Sequence, residues 1–420
     1  MGKMKKKNTD RLDWFRKARF GMFIHWGIYS VPARGEWHLY YSGMDRNEYE
    51  KYAEEFNPVD FNPHAWAELA KNAGMKYVVF TTKHHDGYCM FDSANNDFKI
   101  TNSPYGKDIS AELIEAFREA GLKIGLYHSL VDWRHPHFIP DPEHPDWKRG
   151  ARNFSGRKLE IYRKYLYAQV EQLLTDYGKI DLLFFDYTSK FKTSAEWEGT
   201  KLLELVYALQ PEIIVNDRLC YEKKPLLGDY CTPEVCLPNA PVTVGGKEVA
   251  WETCMTLNDN WGYSAVDHNW KDASTVIQAL VHCVSMNGNL LLNIGPDARG
   301  NIPKESVSIL NEVGEWMKYA ACSIHGAGRA EMKAPQPHYY TRNGKRLFLH
   351  LTSSPMGDII LPEGNGRIKS ARYLKDDSEV KLITHWGREL LKKEELRIRP
   401  GHFFKNPVFN TIELSSSSAK

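Results

Sequence analysis

A chain of 420 residues is too long for one small domain and suits two domains, or a large barrel with an appendage. Its 55 basic and 53 acidic residues nearly cancel, to a net charge of +2, so there is no basic stripe and nucleic acid is not expected as a partner. With 42% hydrophobic residues the chain can bury a proper core, and no run of about 18 apolar residues exists to span a membrane.

The chain opens on Lys3, Lys5, Lys6 and Lys7, followed by Asn8-Thr9-Asp10-Arg11 and no apolar run. No signal peptide is read there, so a cytoplasmic location is expected, or a secreted or periplasmic one if a leader has been removed. The first strand is Phe20–Ile24, running into His25-Trp26-Gly27. Asn62-Pro63 then caps a helix whose inner face carries Trp66, Leu69, Ala70 and Ala73 and which Gly74 closes. The most informative stretch follows. Tyr77–Thr82 is β-branched and aromatic, as a strand buried on both faces should be, and it opens directly into His84, His85 and Asp86.

The pattern repeats downstream. Asp108 or Ser110 caps a helix with Leu113, Ile114, Phe117 and Ala120 inward, stopped by Gly121. Lys123–Leu126 leads to Tyr127-His128-Ser129, and after a helix at Tyr162–Tyr177, Ile180–Phe185 leads to Asp186. Ile213–Val215 leads to Asn216-Asp217-Arg218. Further strands are read at Val249–Glu252 and Asn289–Asn293, and a helix at Lys304–Tyr319. Strand and helix in alternation imply right-handed βαβ units and a parallel sheet, here close to a full (β/α)8 barrel. In such a barrel the polar groups after each strand gather at one face and form an active site.

Near Gly326 the texture changes to short alternating segments: His338–Arg342, Arg346–Leu351, Asp358–Leu361, Ile368–Tyr373, Lys381–Thr384, Leu396–Ile398 and Val408–Leu414. Asn343-Gly344 between two apolar runs is a hairpin signal. The expected organisation is a catalytic barrel over residues 1–330 and a C-terminal β-sandwich over 331–420. The seven cysteines (Cys89, Cys220, Cys231, Cys236, Cys254, Cys283 and Cys322) are odd in number and lack a CxxC, so they are read as reduced thiols.

Several residues have the chemistry of a site. Asp186, at the mouth of a hydrophobic strand, suits a nucleophile or base; a helix cap is the plainer reading. A second carboxylate would come from Glu234, in the irregular loop Gly228–Glu234, or from Glu252, at a strand end. Two carboxylates flanking one bond are what glycoside hydrolysis uses; for each glutamate the alternative is a structural salt bridge. His25, His84, His85 and His128 all follow strands. They could bind zinc, but no HxH or HExxH spacing is present, and neutral imidazoles bond sugar hydroxyls equally well. If the strand continued, His84 and His85 would point apart. Aromatics crowd the same loops, among them Trp37, Tyr40, Tyr41, Trp133, Trp251 and Trp261, partly as core and partly as candidate sugar platforms. Arg218 suits a carboxylate or a sugar oxygen, or a plain ion pair with Asp217.

Ordered motifs then carry a resemblance. They are Arg19-Phe20-Gly21-Met22-Phe23-Ile24-His25-Trp26-Gly27 with Tyr29-Ser30-Val31-Pro32, Lys83-His84-His85-Asp86-Gly87, and Gly125-Leu126-Tyr127-His128-Ser129. Phe185-Asp186, Asn216-Asp217-Arg218, Thr232-Pro233-Glu234, Trp251-Glu252-Thr253-Cys254, Trp261-Gly262-Tyr263 and Asn289–Pro296 follow. Between Trp14 and Trp316 the chain resembles the α-L-fucosidases of glycoside hydrolase family 29. The resemblance implies a barrel with a C-terminal β-sandwich, no metal or organic cofactor, and exo-acting hydrolysis of terminal α-L-fucosyl linkages with retention. It implies Asp186 as nucleophile and Glu234 as acid/base, with Glu252 as the fallback or a supporting residue. It implies sugar contacts from His25, Glu36, Trp37, His84, His85 and Tyr127, with Arg218 beside the carboxylates and Trp261 near the sugar. The family pattern has Asp-Gly after the fourth strand, whereas here Asp186 is followed by Tyr187. The expected partner is a fucosylated oligosaccharide or glycoconjugate. A homo-oligomer is compatible with the sequence, which fixes no oligomeric state. The competing readings are a related α-L-glycosidase such as an α-L-galactosidase, a catalytically silent sugar-binding protein on the same scaffold, and a metal-dependent hydrolase using the histidines. The loops Trp133–Arg149 and Asn239–Lys247 are expected to set linkage and leaving-group preference.

Overall fold

The computed structural model describes residues 11–187, 193–219, 226–383, 388–401 and 409–416. The lysine-rich tail, Cys220, Thr384, Val408 and the last residues of the serine run lie outside them.

Seven strands form one parallel sheet: β1 (Phe20–Ile24), β2 (Tyr77–Lys83), β3 (Lys123–Ser129), β4 (Leu182–Asp186), β5 (Ile214–Val215), β6 (Glu252–Thr256) and β7 (Asn289–Ile294). Their order is β5-β4-β3-β2-β1-β7-β6. The gap between β5 and β6 is filled by residues 230–234, through parallel bridges that join Asn216 to Tyr230, Cys231 to Trp251 and Glu234 to Cys254. The segment expected to be an irregular loop is therefore the eighth stave of a (β/α)8-like barrel. Pro233 supplies no amide, which helps explain why this stave pairs by isolated bridges rather than by a continuous ladder.

Period-two alternation sorts the strand side chains. Met22, Ile24, Val78, Phe80, Ile124, Leu126, Leu183 and Phe185 pack outward with the surrounding helices, and each such buried side chain is worth roughly 1.5–3 kcal/mol. Phe23, Tyr77, Val79, Tyr127, Leu182, Phe184, Ile214, Tyr230, Cys254 and Leu291 fill the barrel interior. Leu12, Phe15 and Ala18 from the N-terminal segment join this inner cluster, Phe15 against the Tyr77 and Tyr230 rings. Gly21, inward on β1, leaves room for the Tyr77 ring, which a Cβ there would meet at 2.5 Å.

The outer helices are α1 (Pro63–Asn72), α2 (Ile109–Glu119), α3 (Leu159–Thr175), α4 (Gly199–Leu209), α5 (Ala273–Ser285) and α6 (Lys304–Ala320). The Asn62 side chain caps α1 by accepting from Ala65 N at 3.0 Å, and Asp108, rather than Ser110, caps α2 through Ala111 N at 2.9 Å.

Beyond α6 come β8 (Gly328–Arg329), β9 (Tyr339–Asn343), β10 (Arg346–Leu351), β11 (Ile359–Leu361), β12 (Ile368–Tyr373), β13 (Lys381–Ile383), β14 (Leu396–Arg399) and β15 (Asn410–Ser416). Two antiparallel sheets, β8-β9-β10-β15-β12 and β11-β14-β13, enclose a second core that includes Leu347, Leu349, Leu361, Ile398, Ile412 and Leu414. This is a C-terminal β-sandwich. It meets the barrel through α5 and α6, where His282 Nδ1 lies 3.2 Å from the Tyr339 hydroxyl and Phe409 packs edge-on to Trp316. The six described cysteines are all free thiols.

Candidate active site

A cavity of about 360 Å³ opens at the C-terminal ends of the barrel strands. It exists there because alternation carries the inward face past the last apolar residue of each strand. Asp186 lies two positions beyond Phe184 and four beyond Leu182, and His25 lies two beyond Phe23.

Asp186 is the most constrained polar group. Its Oδ2 accepts from the Tyr127 hydroxyl at 2.7 Å and its Oδ1 from Arg218 Nη1 at 2.6 Å, while His85 Nε2 lies 3.7 Å from Oδ2. Burial alone would raise its pKa; the Arg218 charge, His85 and the Tyr127 hydrogen bond outweigh burial and bring it down to about 2. Asp186 is therefore ionised near neutrality.

Arg218 reaches across the cavity. Its Nη2 is 2.7 Å from Glu234 Oε2, and its Nε donates to Thr232 Oγ1 at 3.0 Å. The guanidinium lies over the Phe184 ring, 5.2 Å from its centroid. Asp217 is not its partner; it accepts instead from Thr232 N at 3.0 Å and Thr232 Oγ1 at 2.8 Å, which pins the closing stave. Glu234 stands further out, with 42% of its side chain exposed. One largely enclosed and one open carboxylate thus share a single cation.

The histidines are set by their neighbours. Asn293 Nδ2 donates to Trp261 O at 2.7 Å, so its Oδ1, 2.7 Å from His25 Nδ1, accepts a hydrogen bond from that N–H and leaves Nε2 as an acceptor. The Ser129 hydroxyl donates to Val131 O at 2.9 Å, so it accepts from His85 Nδ1 at 2.7 Å, with the same consequence. Burial lowers His25 to about 3 and His85 to about 4, and it holds His84 well below its ordinary value. All three rings are neutral near neutrality and can bond sugar hydroxyls. β2 stops at Lys83, so the two adjacent histidines do not point apart: their ring centroids are 4.1 Å apart and both line the cavity. Among the described residues no group of three or more His, Cys, Asp and Glu side chains converges as a metal site would require.

Trp37, Tyr127 and Trp261 also line the cavity, together with Phe23, Phe184, Thr232 and Cys254. Three expected residues are placed elsewhere. Glu252 begins β6 rather than ending a strand, so it projects into the inner end of the barrel, fully buried, and accepts from the Tyr77 hydroxyl; burial raises it to about 8. Glu36 is not among the lining residues; its Oε2 accepts from Gly262 N at 2.7 Å and so holds the turn that presents Trp261. His128 follows the inward Tyr127 and so points outward, where its Nδ1 lies 3.0 Å from Thr82 Oγ1.

Among the lining residues that carried no assigned role in the sequence, Tyr187 and Glu143 stand out as a bonded pair. Tyr187 has φ of 75°, a left-handed conformation that costs a non-glycine residue roughly 1–2 kcal/mol. Its hydroxyl donates to Glu143 Oε2, and Asp141 Oδ1 is 3.2 Å away. The only signals were the missing Asp-Gly and the loop Trp133–Arg149. The other flagged loop, Asn239–Lys247, contributes nothing to the cavity lining and holds the short strands Thr243–Val244 and Lys247–Glu248.

Two carboxylates facing a ring-lined, hydroxyl-binding pocket at the mouth of a (β/α)8-like barrel define a glycoside hydrolase. The chain belongs to the alpha-L-fucosidase family, whose pattern it matches over residues 3–321. It is 31% identical over 375 residues to the tissue alpha-L-fucosidase of Bos taurus, which covers 83% of this chain and 76% of that protein. Its fold is similar to that of alpha-L-fucosidase isoenzyme 1 from Paenibacillus thiaminolyticus, with a TM-score of 0.93 and 42% identity over 98% of this chain and 100% of the other. A trapped covalent intermediate of a Bacteroides thetaiotaomicron alpha-L-fucosidase superposes with a TM-score of 0.85 at 26% identity, covering 97% of this chain and 96% of the other.

Proposed function

We propose that the chain is an exo-acting, retaining α-L-fucosidase that releases terminal L-fucose from fucosylated glycans by double displacement. The observation that carries this reading is the fork of Arg218, 2.6 Å from Asp186 and 2.7 Å from Glu234. One guanidinium spanning both carboxylates keeps them close together, and retaining enzymes need a separation of about 5–5.5 Å. The trapped Bacteroides complex, formed with 2-fluoro-fucosyl fluoride in a glutamate-to-glutamine variant, supports a covalent route.

Asp186, ionised, attacks the anomeric carbon while protonated Glu234 gives its proton to the leaving oxygen. Forming the ester removes the charge on Asp186 and leaves Arg218 facing Glu234 alone. Glu234, a carboxylate once it has given up its proton, then takes a proton from water as the water attacks the anomeric carbon and frees the Asp186 carboxylate. The neutral His25, His84 and His85 receive the sugar hydroxyls, and Phe23, Phe184 and Trp261 offer the apolar surface for the C6 methyl group.

The test is hydrolysis of 4-nitrophenyl α-L-fucoside by the wild type, Asp186→Ala and Glu234→Gln, with and without azide. The wild type turns over, and both variants lose most activity. Azide rescues Asp186→Ala to the inverted fucosyl azide and Glu234→Gln to the retained one. A folded wild type inactive on this substrate and on fucosyl disaccharides overturns the reading.

A further inference from the structure

We infer that Tyr187 and Glu143 form a wall that selects a hydroxyl-bearing sugar, rather than an aryl group, as the leaving group. The inference rests on the fucosidase reading of the same cavity.

Tyr187 directly follows Asp186, so its backbone is tied to the reacting carboxylate. Its left-handed φ of 75° is the conformation in which glycine is at ease, yet the chain places a large ring there. Packing overdetermines that ring: it lies edge-on to His85 with centroids 5.2 Å apart, lies 6.4 Å from Trp37, and its hydroxyl is bonded to Glu143. Glycine would leave this volume open.

Glu143 is half-buried at the rim of the cavity, in the loop between β3 and α3. The loop is braced: Glu143 N donates to Asp141 Oδ1 at 3.0 Å, and Arg157 Nη1 donates to Phe138 O at 2.7 Å. One Glu143 oxygen receives the Tyr187 hydroxyl, and among the described residues the other has no partner. The result is an oriented acceptor at the mouth of a pocket whose inner end is filled with side chains. In such a pocket the fucose lies deep and the leaving group lies at the mouth. A sugar there can donate a hydroxyl to Glu143, a charge-assisted bond that an aryl group cannot make.

The experiment compares kcat/KM on 4-nitrophenyl α-L-fucoside with kcat/KM on the best-cleaved member of a panel of fucosyl disaccharides, for wild type, Glu143→Gln, Tyr187→Phe and Tyr187→Gly. Glu143→Gln leaves one neutral oxygen for two donors, and the Tyr187 substitutions release the Glu143 side chain from its orientation, so each is expected to lower the disaccharide-to-aryl ratio by about 10-fold or more. Tyr187→Phe keeps the ring and removes only the hydroxyl, so a lowered ratio there separates orientation of Glu143 from loss of packing. Residual aryl turnover reports that a variant is folded. Ratios within about 3-fold of wild type in Glu143→Gln and Tyr187→Phe overturn the wall while leaving the fucosidase reading intact. A folded wild type inactive on both substrates overturns that reading and this inference with it.

Discussion

Asp186 and Arg218 make the shortest charged contact in the cavity, Oδ1 to Nη1 at 2.6 Å, and Arg218 spends its other arm on Glu234. The two residues come from neighbouring staves, β4 and the turn after β5. The pair therefore depends on barrel register rather than on local sequence.

Arg218→Lys tests the fork. Lysine restores one charge but not two fixed arms. We expect kcat/KM on an aryl fucoside to fall roughly 100-fold, as for loss of a partner from a buried charge pair. A variant with wild-type kcat/KM would show that the fork is incidental.

The histidines set a second expectation. His85 protonates only near pH 4 and His25 only near pH 3, because burial penalises their charged forms. From neutrality down to about 4 they stay neutral, and kcat/KM should hold a plateau on its acid side. Below that it should fall with more than one proton, since both rings stop accepting sugar hydroxyls. A pH–rate profile measured over the range in which the enzyme stays folded gives the answer; a single acid limb near 6.5 contradicts it.

What was legible in the sequence followed the two periodicities. Buried strands ending in polar residues announced the barrel and gathered Asp186, His25 and Tyr127 at one of its faces. The rest depended on where a strand starts or stops. Glu252 ends the strand Val249–Glu252 expected from the sequence, whereas β6 begins at Glu252; that offset carries the carboxylate to the opposite end of the barrel. His84 and His85 converge because β2 stops at Lys83 rather than running on through them. The eighth stave, Tyr230-Cys231-Thr232-Pro233-Glu234, lacks both alternation and a run of β-branched residues, so only its bridges reveal it. The φ of Tyr187 leaves no trace in composition.

Gly125 tests the packing beneath the site. It lies on β3 two residues before Tyr127, and a Cβ there would sit 2.7 Å from Val78 O and 3.0 Å from Val79 Cγ2. The first of these is backbone and cannot swing away. Gly125→Ala should destabilise the barrel by about 1–3 kcal/mol, the usual cost of overpacking, read as a lower midpoint in urea. An unchanged midpoint would mean that the strands can part without cost.

Glu252 makes stability depend on pH in the direction opposite to Asp186. Burial lifts its pKa from 4.5 to about 8, so the folded state holds a proton that the unfolded chain releases above 4.5. Below 4.5 both states are protonated and its contribution is complete. Between 4.5 and about 8 the folded state binds more protons, and stability falls with rising pH by about 1.4 kcal/mol per unit for this one group. Asp186, depressed to about 2, contributes the reverse: stability present above 3.8 and lost as pH falls through 2. Glu252→Gln keeps the shape and the acceptor for the Tyr77 hydroxyl but cannot ionise. We expect the variant's melting temperature to decline less than that of the wild type between pH 5 and 8, so that the two curves separate towards alkaline pH. Parallel curves across that range would mean that Glu252 does not hold its proton in the folded barrel.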